Sequence, residues 1–238
     1  MGFCTKCGRE LADGEVCNCT TENKTSDMKE AAAQAMEKGK ETAAQAMEKG
    51  KAIAGNIFQF GAELIADPVA VINEYVPSGD VAKAGQLIGC EAVIAALSTF
   101  LVYLLRYKYE FGRVISFTLR DAVSTLLVAA VGAYVIMFFA DYFDKNKVNF
   151  KSGLCIMSLL SIVTIPVEII YMVFRLINVN ILTGLSNCIT SGIGMMGYVL
   201  LYFGVSTVVK EPKKRMYTMG GLYVVVSLVS FVVTKLFA

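Results

Sequence analysis

Long apolar runs without charge dominate the last two thirds of the chain, whereas the first third mixes polar, acidic and small residues. Each run is close to the roughly 20 residues that an α-helix needs to cross about 30 Å of hydrocarbon. The uncharged run 176–209 is too long for one crossing and too short for two with a turn, and its early asparagines Asn178 and Asn180 favour a loop before the fourth helix. The pattern predicts an all-α polytopic membrane protein with five transmembrane helices, at Gly85–Leu105, Ala122–Ala140, Gly153–Phe174, Ile181–Val205 and Met216–Phe237.

Small residues distinguish the fourth of these apolar runs. At helical spacing, small side chains let neighbouring helices approach closely. We therefore expect this helix to be central to the bundle. The residues concerned are Gly184, Ser186, Ser191, Gly192, Gly194 and Gly197.

Composition excludes most familiar enzyme sites. The chain has 238 residues, of which 55% are hydrophobic and 18% are charged, and it contains no histidine. The missing histidine removes Ser-His-Asp and Cys-His catalysis, histidine metal ligands and the usual proton carrier near neutral pH. Gly192-Ile193-Gly194 lies inside a predicted span and lacks the strand that precedes a nucleotide-binding loop. We expect a protein that is not an enzyme and has no nucleic-acid partner.

Four cysteines cluster at the amino terminus, in the string CTKCGRELADGEVCNC. Four thiolates suit the tetrahedral coordination of Zn²⁺, Gly8 permits a tight knuckle after the first pair, and Asp13-Gly14 favours a hairpin turn between the pairs. A disulfide is disfavoured if this end is cytosolic, and a thioredoxin-like redox motif is disfavoured because no βαβ pattern surrounds the cysteines. The string resembles a short zinc ribbon with a shortened second pair. Residues 1–20 are therefore predicted to bind structural Zn²⁺ through Cys4, Cys7, Cys17 and Cys19.

Residues 21–52 form a polar linker followed by an 11-residue repeat. AAQAMEKGK occurs at Ala32–Lys40 and again at Ala43–Lys51. Eleven residues make three turns of about 3.67 residues, so equivalent side chains stay on one face of a helix. The repeat predicts either a solvated helical spacer or a helix that binds reversibly to a membrane surface or a partner.

Residues 53–83 are predicted to form amphipathic interfacial helices before the first span. Asp67-Pro68 ends the first helix and caps a second over Val69–Tyr75, and Pro77-Ser78-Gly79 turns the chain toward the bilayer. Packing against the membrane domain is the alternative, because periodicity does not say which apolar surface a stripe meets. The stripe of the first helix comprises Ile53, Ile57, Phe58, Gly61, Leu64 and Ile65.

Basic residues in the loops favour a cytosolic amino terminus and an external carboxyl terminus. With this orientation the inside segments hold eight Lys and Arg residues and the outside segments hold six. The absence of a signal-peptide pattern before the cysteines agrees with it. The segment Arg106–Asp121 mixes aromatic and basic residues, and we expect it to lie along the bilayer surface.

Two acidic residues fall inside predicted spans. A carboxyl group in hydrocarbon is costly unless it is protonated or paired, so intramembrane acids are candidate functional residues. Glu91 lies in the first span, and Glu168 lies in the third, seven residues before Arg175. These three residues are the candidate intramembrane polar site. The alternative is that both acids lie near the headgroups.

The layout resembles the Yip family of five-span integral membrane proteins, in the bacterial form with an amino-terminal zinc ribbon. The resemblance covers about residues 55–238 and rests on the ADPVAVINEY segment before the first span and on the five closely packed spans in 84–238. In eukaryotes this family is associated with vesicle trafficking and small GTPases. For a bacterial member the resemblance implies a membrane scaffold.

Two functions remain open from the sequence. The first is a non-enzymatic scaffold or adaptor in a bacterial cytoplasmic membrane, which contacts the lipid bilayer and binds a protein partner through residues 1–75. The second is a small transporter or oligomeric channel that uses the intramembrane acids. The absence of detectable repeated halves favours the first.

Overall fold

The computed structural model describes residues 2–3, 10–12, 45, 47–144, 148–177 and 180–237. The chain divides into two compact units, Met1–Asn56 and Ile57–Ala238. Several sequence predictions lie outside the described residues. They concern the four amino-terminal cysteines, the linker, the first copy of the repeat, Lys145, Lys147, Asn178 and the side chains of Gly184 and Ser186.

The first unit contains a small antiparallel strand pair. Strand β1 (Gly2–Phe3) pairs with β2 (Glu10–Leu11), with Gly2 opposite Leu11 and Phe3 opposite Glu10. Residues 47–56 are helical and their side chains are largely exposed. The described residues of the second copy of the repeat, 45 and 47–51, are helical, and a helix over the whole repeat stays a prediction.

The second unit is entirely α-helical over its described residues, apart from one π-helical turn and the connecting loops. A helix over residues 57–66, here α1, leads into six further helices. The π-helical turn, Val102–Arg106, directly continues α3. The six helices are α2 (Pro68–Ser78), α3 (Val81–Leu101), α4 (Phe111–Asp144), α5 (Phe150–Ile177), α6 (Asn180–Val208) and α7 (Pro212–Leu236).

Four helical segments of the described chain are long and apolar enough to cross a membrane. Their lengths exceed the minimum of about 20 residues, which confirms the predicted class of an all-α membrane protein. They are Val81–Arg106, Phe111–Phe143, Phe150–Ile177 and Pro212–Leu236. The remaining predicted span, the fourth, falls within α6, whose 29 residues carry no charge.

The second membrane helix begins earlier than the sequence predicts. Residues 111–121, expected to lie apart along the bilayer surface, form the first three turns of α4 and continue without a break into the apolar run. The charges that end the apolar run are paired within the helix bundle, because Arg120 and Asp121 form an ion pair of 2.8 Å. Because these two charges are paired, the helix includes them and does not begin at Ala122.

Helix α2 is fixed at both ends by the residues that the sequence singles out. The carboxylate of Asp67 accepts a hydrogen bond from the Ala70 amide at 3.0 Å, and Pro68 occupies the first turn. At the other end Gly79 adopts φ +60°, a left-handed conformation that favours glycine. Asp80 then caps α3 through the Lys83 amide. This cap starts the first membrane helix at Val81, four residues before the predicted start.

The apolar stripe of α1 divides between the bundle and the surface. Leu64 is buried and Gly61 lies against Ile162 of α5, whereas Phe58 and Ile65 are 80% and 82% exposed. One side of the stripe therefore packs against the membrane domain, which was the alternative to a purely interfacial helix. The position of Phe58 and Ile65 at a bilayer surface stays a prediction.

Close helix contacts involve glycines on four of the long helices. A Cβ atom on Gly153 of α5 would lie 2.5 Å from the carbonyl oxygen of Ala133 on α4, and one on Gly197 of α6 would lie 2.9 Å from Leu160. Gly192 and Gly194 meet nothing within 4 Å. The small residues of α6 thus serve close packing at Gly197, but not along the whole predicted face.

Candidate functional site

The carboxyl-terminal ends of α3 and α5 meet the beginning of α4 around a polar cavity of about 470 Å³. The guanidinium of Arg106 donates a 2.8 Å hydrogen bond to the Arg175 carbonyl and so joins the ends of α3 and α5. Four tyrosines, two arginines and two acids contribute to the lining, which is therefore far more polar than the bundle core. The lining residues are Ser98, Thr99, Val102, Tyr103, Tyr107, Tyr109, Arg120, Asp121, Glu168, Tyr171 and Arg175.

The charged pair Arg120 and Asp121 has its hydrogen-bond partners within the protein. Arg120 Nε donates to Asp121 Oδ1 at 2.8 Å, and Thr99 Oγ1 donates to Asp121 Oδ2 at 2.5 Å. Asp121 therefore holds a hydrogen bond on each carboxylate oxygen, one from its own helix and one from α3. Hydrogen bonds to charged groups are stronger than neutral ones, so the bond from Thr99 to Asp121 fixes α4 against α3.

Arg175 is only partly satisfied. Its Nη1 donates to the hydroxyl of Tyr107 at 3.1 Å, and its guanidinium lies 4.9 Å from the ring centre of Tyr171. Its Nε is buried and has no hydrogen-bond partner. A buried donor without an acceptor costs about 1–3 kcal/mol. Arg175, which lines the cavity, therefore carries an unpaired donor on a nitrogen that is itself buried.

Glu168 lies on the same face of α5 as Tyr171 and Arg175, and the hydroxyl of Ser98 faces its carboxyl group. It forms no ion pair with any residue that the structure describes. Glu168 and Arg175, which the sequence predicts to be close, thus both line this cavity. Their side chains do not form an ion pair with each other.

The π-helical turn and the loop after it bring aromatic rings to the cavity. Tyr103 lies 5.5 Å from Tyr107, 5.6 Å from Tyr109 and 5.0 Å from Phe117, between ring centres. The wider π-helical turn places Tyr103 and Tyr107 in neighbouring positions, and single π-helical turns occur often at functional sites. Lys108 adopts φ +51° between the two loop tyrosines.

Glu91 lies outside this cavity. Its Oε2 accepts a 2.6 Å hydrogen bond from Ser161 Oγ, which links the middle of α3 to the middle of α5. Because Ser161 precedes Glu168 by seven residues on α5, the two acids are about two turns, or roughly 10 Å, apart along the bundle. The structure therefore brings two of the three predicted residues to one cavity and places Glu91 elsewhere.

The sequence reasoning missed Arg120, Asp121 and the tyrosines as members of the site. The available signal was the mixed aromatic and basic composition of residues 106–121, which borders an uncharged span. Charged residues next to a span mark either a loop or a polar pocket at the helix ends. Only the packing of α3, α4 and α5 distinguishes these two.

A second polar cluster attaches α2 to α5. Ser158 donates to the Cys155 carbonyl at 2.8 Å, so the Tyr75 hydroxyl, 2.8 Å from Ser158 Oγ, is the donor between these two. Phe60 packs edge-on to Tyr75, and the Lys83 ammonium lies 3.9 Å from the Phe60 ring centre. Burial raises the pKa of Tyr75 well above its ordinary value, so the hydroxyl stays protonated and keeps its donor role.

The described residues contain no group of three or more His, Cys, Asp or Glu side chains that could hold a metal ion. The predicted Zn²⁺ ligands Cys4, Cys7, Cys17 and Cys19 lie outside the described residues. Strands β1 and β2 flank the part of the sequence that contains the first two of these cysteines.

No family model, no curated protein and no solved structure matches this chain. The resemblance to the Yip family therefore rests on the layout of the helices and on the ADPVAVINEY segment.

Proposed function

We propose that this protein is a non-enzymatic integral membrane scaffold whose amino-terminal arm binds a protein partner in the cytosol. The observation that carries the proposal is the separation of the two intramembrane acids. Glu91 is hydrogen-bonded to Ser161, whereas Glu168 lines the cavity at the helix ends. A proton or ion route through the bundle would favour acids that face one water-filled space. Separate environments favour a packing role for Glu91.

The proposed membrane domain has five spans, with α6 as the fourth. Helix α6 is 29 residues long and uncharged, which is sufficient to cross a bilayer. With the amino terminus in the cytosol, five crossings put the carboxyl terminus outside, in agreement with the excess of basic residues on the inner loops. A bacterial cytoplasmic membrane and a place in the Yip family are part of the same proposal. Both rest on the layout of the sequence.

The proposed arm begins with a zinc ribbon. Cys4, Cys7, Cys17 and Cys19 would hold one Zn²⁺, which supplies folding energy that a segment of about 20 residues does not obtain from a core. Four thiolate ligands leave no open coordination position, so the role is structural. Antiparallel pairing of β1 with β2 on either side of the first two cysteines supports this assignment.

Affinity capture from native membranes tests the scaffold proposal. The full chain is compared with a variant that lacks residues 1–52 and with Glu91→Gln and Glu168→Gln. Deletion should remove partner capture while the helices still insert, because insertion depends on the apolar spans. Both Gln variants should keep partner capture. Equal capture by the deletion variant would contradict the proposal.

The polar cavity favours a second candidate function, a small transporter or oligomeric channel. It contains Glu168 and the charged pair Arg120 and Asp121 within a membrane-length bundle. Proton flux into proteoliposomes, measured with a pH-sensitive dye inside the vesicles, distinguishes this candidate. A flux that the native chain supports and that Glu168→Gln abolishes would make the cavity a working site for transport.

A further inference from the structure

The cavity at the ends of α3 and α5 contains two charged groups of opposite sign that the protein leaves incompletely paired. Arg175 Nε is buried without a hydrogen-bond partner. Glu168 has no ion-pair partner among the described residues. The other two charges, on Arg120 and Asp121, neutralise each other at 2.8 Å. A ligand that complements the cavity therefore needs one negative and one positive group.

The unmet donor defines the negative end of the ligand. A guanidinium presents its N–H groups in a planar fork that matches carboxylate and phosphate oxygens. On Arg175 one of these donors is used by Tyr107 and the Nε donor is not. Stacking on Tyr171 holds the guanidinium plane in place without using its donors. An anionic group inside the cavity would face the Arg175 guanidinium, which is part of its lining.

Glu168 and the tyrosine rings define the positive end. Tyr103, Tyr107, Tyr109 and Tyr171 all line the cavity together with Glu168. Aromatic faces attract ammonium groups, and the attraction increases when the cation is removed from water. A carboxylate beside several aromatic rings is therefore suited to an ammonium group on a small ligand.

The two ends are close enough for one small molecule. Glu168, Tyr171 and Arg175 follow one another at spacings of three and four residues on one face of α5. Side chains on a helix lean toward its amino terminus, and the longer Arg175 side chain reaches further back than Glu168 does, which reduces the distance of roughly 10 Å between the two backbone positions. A cavity of about 470 Å³ falls in the range of small-ligand sites.

The position of the cavity favours a lipid headgroup as the source of this ligand. The cavity lies at the ends of membrane-length helices, among tyrosines and arginines, which are enriched where a bilayer meets water. We propose that the cavity binds a zwitterionic ammonium phosphate, with the phosphate at Arg175 and the ammonium at Glu168 and the tyrosine rings. A phosphatidylethanolamine-type headgroup and the free headgroup molecule share this chemistry.

Native mass spectrometry of the full chain in detergent tests the proposal. The probes are dioleoylphosphatidylethanolamine, which carries the ammonium group, and dioleoylphosphatidylglycerol, which does not. The native chain should bind the first lipid more tightly than the second. Glu168→Gln should weaken binding of the first by roughly tenfold and leave binding of the second unchanged. Arg175→Gln should weaken both, because it removes the phosphate contact.

Two further variants complete the design. Glu91→Gln is the matched control, because Glu91 lies outside the cavity, and it should bind both lipids as the native chain does. Tyr109→Leu removes a ring from a partly exposed loop position and should weaken binding of the ammonium lipid only, which keeps the test intact if Glu168→Gln does not fold.

Displacement of the bound lipid by phosphoethanolamine would support the same site with a free molecule as its source, and failure to displace would support the lipid as the source. Equal binding of both lipids by the native chain, or unchanged binding by folded Glu168→Gln and Tyr109→Leu, would overturn the proposal.

Discussion

Ser161 Oγ donates a 2.6 Å hydrogen bond to Glu91 Oε2 across the contact between α3 and α5. Both residues lie near the middle of membrane-length helices, so the bond provides Glu91 with a protein partner where water is scarce. The same contact explains why an acid is tolerated in this span without a nearby cation among the described residues. Glu91 therefore serves to hold two helices together.

Removing the hydrogen-bond donor, Ser161, should lower the free energy of unfolding more than changing the acceptor, Glu91. Glu91→Gln keeps a carbonyl oxygen that accepts from Ser161, so stability should change by less than about 1 kcal/mol. Ser161→Ala leaves the Glu91 carboxyl without this partner and should destabilise by about 1–3 kcal/mol. Thermal unfolding in detergent, followed by circular dichroism, measures both. A larger loss for Glu91→Gln than for Ser161→Ala would contradict the packing role.

The glycine at the contact of α4 and α5 should not accept a methyl group. Gly153→Ala would place a Cβ atom 2.5 Å from the carbonyl oxygen of Ala133, and backbone must shift to relieve that contact. Overpacking of this kind destabilises by about 1–3 kcal/mol. Gly192→Ala in α6 is the matched control, because nothing lies within 4 Å of the added Cβ atom. Similar unfolding temperatures for the two variants would show that the close contact does not limit stability.

Stability at alkaline pH should depend on Tyr75. Burial raises the pKa of Tyr75 in the folded chain above the ordinary value of 10.0, so the unfolded chain releases this proton first. The stabilising contribution is present below pH 10 and is lost as the pH rises above it. Tyr75→Phe removes the titrating group and should flatten the decline in unfolding temperature above about pH 10. The variant should also lose about 1 kcal/mol near neutral pH with its bond to Ser158. An identical alkaline decline in both proteins would rule out Tyr75 as its source.

The proposed topology makes a separate prediction. In a background without other reactive cysteines, a cysteine probe near residue 178 or after residue 238 should react with an impermeant reagent from outside intact cells. Probes at Asn146 and Lys213 should react only after the membrane is opened. The opposite pattern would reverse the orientation, and labelling from outside at both 178 and 146 would contradict the assignment of the third span.

Hydropathy was sufficient to predict the class of the fold, because membrane-length apolar runs have few alternatives in an ordered chain. Local residue chemistry also predicted the helix start at Asp67 and Pro68 and the turn at Gly79, although Pro77 and Ser78, expected in that turn, belong to α2. The position of the first three turns of α4 was not predictable, because it depends on the pairing of Arg120 with Asp121 and on the bond from Thr99 in another helix. Charge alone does not show whether such a partner exists.

The candidate site was predictable only where its members share one helix. Glu168 and Arg175 fall on one face of α5 by spacing, and the structure brings both to the cavity. Glu91 is also an acid inside an apolar run, but the packing of α3 against α5 places it next to Ser161. Three of the four tyrosines lie between residues 103 and 109 and the fourth lies on α5, so their meeting depends on the packing of α3 against α5.

Site-specific photocrosslinking from the arm, in native membranes, tests the scaffold claim most directly. A photoreactive phenylalanine analogue replaces Phe3, which is 62% exposed next to the cysteine cluster, or Leu236, which is 77% exposed at the end of α7 and serves as the control position. The account predicts a discrete protein adduct from position 3 that is lost when Cys4 and Cys7 are changed to serine, and no matching adduct from position 236. The absence of an adduct at position 3, or an adduct that persists without the two cysteines, would contradict a zinc-dependent cytosolic arm.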